Sequence, residues 1–427
     1  MFSFANSKVK AGALQFTLFI GVLIILILGA FVLLSQTHKR FKAQNDLLQE
    51  TIRLADQGVL YTLKMDNTNE ALTSIPYPDL KDFQEIIVST SDWGIYRKIK
   101  SRAVSKNYEF ERNALVGGKR QGDRLALFLA NTFSPLVVVG DTRLKGNAYL
   151  SEYGLKPGSM GSAYYKQSRL IDGAVINHNN EELPQFSENF LASLKLQFNS
   201  YPKSNQVKGM NKVPLHNSFK NETQWIYEPR QLILSDSIMG NVVVRSESEI
   251  VIRATSYLKD VIVIAPNITI ESGVHGNFQA FAENTIKVGA NVELNYPSAL
   301  VLIAEKENPL QSQGAEKEDP NFISVGANSV IKGSIVYLAD LPNINYEPEV
   351  YLANGVSLYG DLYCEQNLEL KGAVFGSVYT RAFIARDFGS VYRNHLYNGV
   401  IDSEELVSAF VGLPIQASTK GIAKWVY

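Results

Sequence analysis

The chain has 427 residues, 45% of them hydrophobic, and its 41 basic and 42 acidic residues leave a net charge of −1. That length exceeds one compact core and implies two or three structural units. The balanced charge gives neither the basic excess of a nucleic-acid binder nor the acidic excess of a disordered tail. The single cysteine, Cys364, excludes an intrachain disulfide and a cysteine-based zinc site.

Residues 1–10 carry Lys8 and Lys10 and no acid, and are read as a leader on the cytoplasmic side. Phe16 to Leu34, FTLFIGVLIILILGAFVLL, holds Thr17 as its one polar residue. At ~1.5 Å per residue it matches the ~30 Å hydrocarbon core of a bilayer, and it lacks the polar face of a soluble helix. A transmembrane helix is therefore predicted over 11–35, with the lipid bilayer as its partner. The run is too long for a cleaved signal and has no small-x-small site before Ser35, which favours a retained single-pass anchor. Lys39, Arg40 and Lys42 beyond the span oppose Lys8 and Lys10 before it, so charge alone leaves orientation open. A helical extension is predicted over 36–75. It has no proline and no glycine before Gly58, and Leu48, Ile52, Ala55 and Val59 form one stripe. That stripe either packs on the following domain or makes a seam for a partner helix or a second copy.

KVKAGALQFTLFIGVLIILILG resembles the start of the minor prepilin-like proteins of type IV pilus and type II secretion systems. RLADQGVLYTL is similar to the A-x-x-G-h-x-Y-x-L stretch at the end of their helix, here Ala55, Gly58, Val59, Tyr61 and Leu63. The resemblance covers residues 8–65. It implies a helix that runs on into an exported domain, with the bulk of the chain extracytoplasmic and partners in the cell envelope. The chain departs from major pilins at Thr17, where they carry a glutamate.

Residues 76–223 are predicted as a strand-rich region, entered at Pro76 and Pro78. Ile86 to Val88, Gly94 to Lys106 and Asn107 to Val116 are candidate strands. VGGKRQGDR lacks the order of a phosphate loop, so Gly117, Gly118 and Lys119 are expected in a turn. From Pro135, short apolar runs broken by Gly140, Gly146, Gly154, Gly158, Gly161 and Gly173 suggest the first solenoid-like coils. SENFLASLKLQF predicts a short helix with Ser187 as N-cap, and 199–223 a long loop.

Residues 224–386 read as a parallel β-solenoid: a succession of short h-x-h strands separated by Gly, Asn and Ser. The turns IAPNI, VGANV, VGANS and LANGV put Asn267, Asn291, Asn328 and Asn354 at intervals that suggest a period of ~20–26 residues, once a polar insertion at 305–321 is removed. Stacked coils would share one core, and the four asparagines are candidates for a turn ladder. The region resembles right-handed parallel β-helix proteins and bactofilin-type solenoids. The tail, 387–427, is predicted to cap the solenoid. It would use a short helix in DSEELVSAFVG, N-capped by Asp402 or Ser403, and a closing strand in IAKWVY. The fold class is mainly β with an N-terminal membrane helix.

No chemistry stands out. The five histidines lack metal-ligand spacing, NHNNEEL at 177–183 reads as a solvated loop, and no nucleophile elbow is present. Asp340, Glu347, Glu349, Asp361, Glu365 and Glu369 could serve a glycosidase-type pair but are expected at solvated outward positions. Cys364 is expected to be buried and inert. No catalytic, metal or cofactor site is assigned, and no cofactor is implied. The sequence therefore points to a membrane-anchored structural or assembly protein, pilin-like in its anchor and not an enzyme. Two other readings stand beside it: a carbohydrate-binding or carbohydrate-active surface protein, and a cytoplasmic-facing bactofilin-like scaffold.

Overall fold

The computed structural model describes residues 11–65, 72–77, 80–120, 122, 125–203, 207–208, 214–304, 321–339, 346–387, 389–415 and 418–427. The leader 1–10, Pro78, Asp340 and most of the polar insertion lie outside them. The protein is mainly β with one long apolar N-terminal helix.

That helix, Ala11–Lys64, is continuous over 54 residues, or ~80 Å at 1.5 Å per residue. Its base lies on a five-stranded antiparallel sheet. The sheet order is Thr73–Ser74, Gln84–Trp93, Tyr96–Ser105, Tyr108–Lys119 and Thr419–Val426. The three middle strands are a meander, as their alternating sequence predicts. The last strand comes from the C-terminus. The tail therefore departs from the expected cap: IAKWVY does form a strand, but it joins this sheet. DSEELVSAFVG forms turns instead of a helix. Asp402 ends a strand of the parallel stack, its Oδ1 accepts a hydrogen bond from the Glu404 backbone N–H, and Phe410 is drawn against Tyr296. These side-chain and packing contacts outcompete a short helix whose nucleation is unfavourable.

Most of the rest of the chain forms a large parallel sheet of 22 strands among the described residues, consistent with a β-solenoid. Three ladders run side by side. The first passes through Leu215–Asn217, Ser237–Gly240 and the leading halves of the long strands from Tyr257–Ile264 to Ala373–Asp387. The second passes through Gln224–Glu228, Val242–Ser246 and the trailing halves of the same strands. The third runs from Leu232–Leu234 through Glu249–Ile252, Asn267–Ile270, Thr285–Val288 and Phe322–Val325 to Val350–Leu352. Long strands bend from one ladder into the next, so hydrogen bonds can be followed in a ring. The parallel registers nevertheless stack along an axis, and the sheet is not a closed barrel.

The step between rungs is 18 residues, as Leu232, Ile250, Ile268 and Ile286 show by pairing in succession. The expected ~20–26 was too long because Asn267 and Asn291 sit at different corners. Asn267 opens a strand opposite Thr285, and Asn291 lies six residues beyond Thr285.

Chain order and stacking order differ. Leu125–Leu129 pairs in parallel with the strand that contains Val378, Tyr379 and Thr380. Val400–Asp402 pairs with Arg143–Lys145, and Asn147–Leu150 and Val175–Asn177 follow. The coils expected first in 76–223 thus extend the stack beyond its C-terminal rungs. One aliphatic core runs through both segments, from Ala126 and Leu144 to Val374 and Ile401.

The ladders differ in cover. Third-ladder strands such as Glu249–Ile252 and Asn267–Ile270 alternate buried and half-buried residues, as one-sided strands do. Second-ladder runs such as Val242–Ser246 are buried throughout, which is the pattern of a parallel sheet packed on both faces. The outer cover comes from the helix Glu188–Phe198, the hairpin tip at Trp93 and Tyr96, and tail residues Leu413, Ile415 and Val426. Ser187 caps that helix as expected, accepting from the Phe190 N–H at 3.3 Å.

Candidate functional site at the helix base and hairpin clasp

The helix has two chemically distinct parts. From Leu14 to Leu34 the large apolar side chains are exposed, Leu18 at 68%, Ile25 at 69% and Phe31 at 67%. The most apolar 18-residue window has a mean hydropathy of 3.1 and no burial against the protein, so the segment is long and apolar enough to cross a membrane. Such a surface is not tolerated bare in water.

From Thr51 onward the helix is clamped. Thr51, Leu54, Ala55, Gly58, Val59 and Thr62 are buried at i, i+3, i+4 spacing. This stripe is rotated slightly from the expected one, since Leu48 and Ile52 are only half-buried. Gly58 is required by space. A Cβ there would strike the Ser101 hydroxyl and come within 2.7 Å of Ile86 Cγ2. The two buried threonines satisfy their hydroxyls within the helix, on Leu47 O at 2.7 Å and Gly58 O at 2.8 Å. Ion pairs flank the dock: Asp56 with Arg112 at 2.7 Å, and Glu50 with Lys81 at 3.0 Å. Hydrogen bonds from Lys81 and then Gln84 hold the Glu50 carboxyl below its ordinary range. Ala55, Gly58, Val59, Tyr61 and Leu63, the residues that carried the prepilin resemblance, therefore all lie at or beside this dock.

The sheet is tied to the stack by a second clasp. The tip of the hairpin between Gln84–Trp93 and Tyr96–Ser105 is held by two glutamine amides. Gln279, 3% exposed on the second ladder, accepts from the Ile95 N–H at 2.8 Å and donates to Trp93 O at 3.0 Å. Gln197, in the short helix, accepts from the Gly94 N–H at 2.7 Å and donates to Gly94 O at 3.2 Å. Gly94 has φ +64° and lies against the Gln279 amide, so a side chain is excluded twice over. Neither glutamine stands in a motif, since their partners lie far off in the chain. The signal was Gln279, one amide in the apolar run FQAFA.

The tail supplies a third tie. Gly117 and Gly118, expected in a turn, lie instead in the strand Tyr108–Lys119. They are glycines because the tail passes within van der Waals contact, with Gly412 O at 2.7 Å from where a Gly117 Cβ would stand. Gly118 and Gly412 exchange backbone hydrogen bonds at 2.9 and 2.8 Å.

The four candidate asparagines do not form one column. Asn291 and Asn328 occupy the same left-handed corner, with φ +56° and +58°. The corner continues to Gly273 on one side and Gly355 on the other, both with positive φ. Asn354 precedes that position by one residue, and its carbonyl accepts from the Asn328 N–H at 3.3 Å. Asn267 accepts from the Thr285 hydroxyl at 2.9 Å at another corner. The similar turn sequences conceal a one-residue slip and a change of corner.

The acidic set is more enclosed than expected. Glu349, Asp361 and Glu369 are buried. Glu369 meets Arg386 at 2.7 Å and Lys371 at 3.0 Å. Glu349 accepts from the Asn367 N–H, Asp361 from the Leu413 N–H and Glu365 from the Ala339 N–H. Glu347 is exposed and pairs with Arg386 at 3.0 Å. These carboxylates fasten neighbouring segments to one another. Cys364 is fully buried in the core, and burial pushes its thiol pKa well up. In the 177–183 segment, His178 stacks on Phe128 with ring centres 4.4 Å apart. Among the described residues no group of three or more His, Cys, Asp or Glu could hold a metal ion.

No family model matches the chain, and no curated protein matches it. Among solved structures it is similar to the competence-associated pilin ComZ from Thermus thermophilus, at 9% identity and a TM-score of 0.24 over 89% of this chain and 97% of that one. A likeness of that size carries no argument.

Proposed function

We propose that this chain is a single-pass membrane-anchored structural or assembly protein, a pilin-like component of a cell envelope that presents a rigid β-solenoid. One observation carries the proposal: a single unbroken helix is bare and apolar over Phe16–Leu34 and locked by close packing at Gly58. A membrane covers the first part, and the second transmits the position of the anchor to the sheet and, through Gln279 and Gln197, to the stack. The carboxylates suit this reading, since their hydrogen bonds and ion pairs hold segments together. No catalysis, metal or cofactor is assigned.

The test is topology. Protease is added to intact and then to lysed cells, with a tag after Tyr427. Digestion in intact cells, once outer barriers are opened, is expected and supports an extracytoplasmic solenoid. Protection until lysis would overturn the envelope role. Release of the chain by carbonate washing would overturn the anchor. Turnover of a glycan by the purified protein would replace the structural role.

A further inference from the structure

A bare neck of helix separates the apolar span from the dock. Residues 36–46 are exposed throughout, and shielding begins only at Leu47. Within this neck stand Lys39, Arg40 and Lys42. Among the described residues none of the three has an ion-pair partner. They occupy one helical turn and spread over roughly half its circumference. Phe41, 68% exposed, places an apolar ring in the same turn.

Depth decides what this turn meets. Counting from Leu34, the three cations lie ~8–12 Å beyond the end of the apolar segment, at or just outside the headgroup layer of a bilayer. Their flexible stems can reach back to it. The domain begins too far along the helix to cover them.

We propose that Lys39, Arg40 and Lys42 form a collar that gathers anionic phospholipid headgroups around the helix, with Phe41 seated at the interface between headgroups and acyl chains. The proposal rests on the membrane-anchor reading above. Charge complementarity is its warrant: an unpaired cationic turn fixed at headgroup depth by the apolar segment before it.

Cys364 is buried, so Gln44→Cys gives one accessible thiol for a fluorophore next to the collar. The labelled full chain is reconstituted into mixed vesicles of phosphatidylcholine and phosphatidylglycerol. Energy transfer is read to a trace of either lipid carrying an acceptor on its acyl chain. Transfer to the anionic lipid is expected to exceed transfer to the neutral one by about two- to five-fold. The excess should vanish in the Lys39→Gln/Arg40→Gln/Lys42→Gln variant and in ~1 M salt, where the screening length is about 3 Å. Equal transfer in the parent chain, or a preference that survives the triple variant, overturns the collar while leaving the anchor intact. Loss of the preference to inorganic phosphate, but not to chloride of equal ionic strength, overturns the lipid assignment. Recovery of the parent chain in the carbonate supernatant sinks both collar and anchor.

Discussion

The parallel stack and the helix-bearing antiparallel sheet both depend on glycine, in opposite ways. In the stack the same contact is repeated: Gly333, Gly360 and Gly376 pair in register with φ near +150°, and a Cβ on each would strike the backbone carbonyl of the rung before it. In the sheet the contact is made once, by Gly58 against Ser101 and Ile86. Repetition distributes a fault, because each rung is clamped by two neighbours that cannot move independently. A single dock localises a fault, because the strands beneath it are held by their own ladders and by the hairpin clasp. The stack should therefore fail as a whole and the helix base by itself.

The largest effect is expected from Gly360→Ala, which adds a Cβ against backbone that cannot yield, in a conformation L-residues rarely adopt. About 4 kcal/mol or more of stability should go, seen as loss of the main thermal transition of the detergent-solubilised chain. Glu369→Ala comes next, at about 2 kcal/mol, because the buried carboxylate that ties Arg386 to Lys371 is lost, while both cations keep partial access to water. A melting temperature within error of the parent would show that this cluster is not a fastening.

Gly58→Leu should cost about 2 kcal/mol and act locally. Hydrogen exchange is expected to rise in residues 47–64, with the meander and the stack unchanged. Uniform deprotection would erase the distinction between the two regions.

Alkaline pH should weaken the stack. Burial raises the pKa values of Cys364, Tyr337 and Tyr363. A raised pKa in the folded state means that this stability is complete below the free thiol value of about 8.5 and is lost as pH rises towards the folded values. Melting temperature recorded from neutral pH upward should fall beyond that point, and a flat profile would count against it. The smallest effect is expected from Gly29→Leu, within about 0.5 kcal/mol, since nothing lies within 4 Å of a Cβ there.

Much of the stack was legible. The h-x-h runs mark one-sided strands, and ALVLIA at 299–304 is a continuous apolar run because that ladder is covered on both faces. A sharper repeat went unread. MGNVVV, KGSIVY, YGDLYC, FGSVYT, KGNAYL and DGAVIN each place a glycine at the same corner, before an inward-pointing strand. Five of those glycines are fixed by carbonyls one rung away and Gly146 by the Ser403 hydroxyl, whereas the asparagine turns occupy more than one corner. The tail was misread for a related reason: DSEELVSAFVG has the local signals of a helix, but Phe410 and Val411 are claimed by Tyr296 across 115 residues or nearly so. The two glutamines of the clasp bond to backbone groups more than 100 residues away, and no local pattern announces such partners.

By itself the sequence determined the elements whose causes are local: the apolar helix, whose side chains have no polar face to offer water; the capped helix at Ser187; and the strands, whose burial follows from alternation. Tertiary structure alone decided the order of the rungs. Leu127 stacks on Val378, and the C-terminal strand closes the sheet under the helix. An open rung presents the same hydrogen-bond edge and aliphatic face to any matching strand. Which one fills it depends on the path of the whole chain, and no window of sequence contains that.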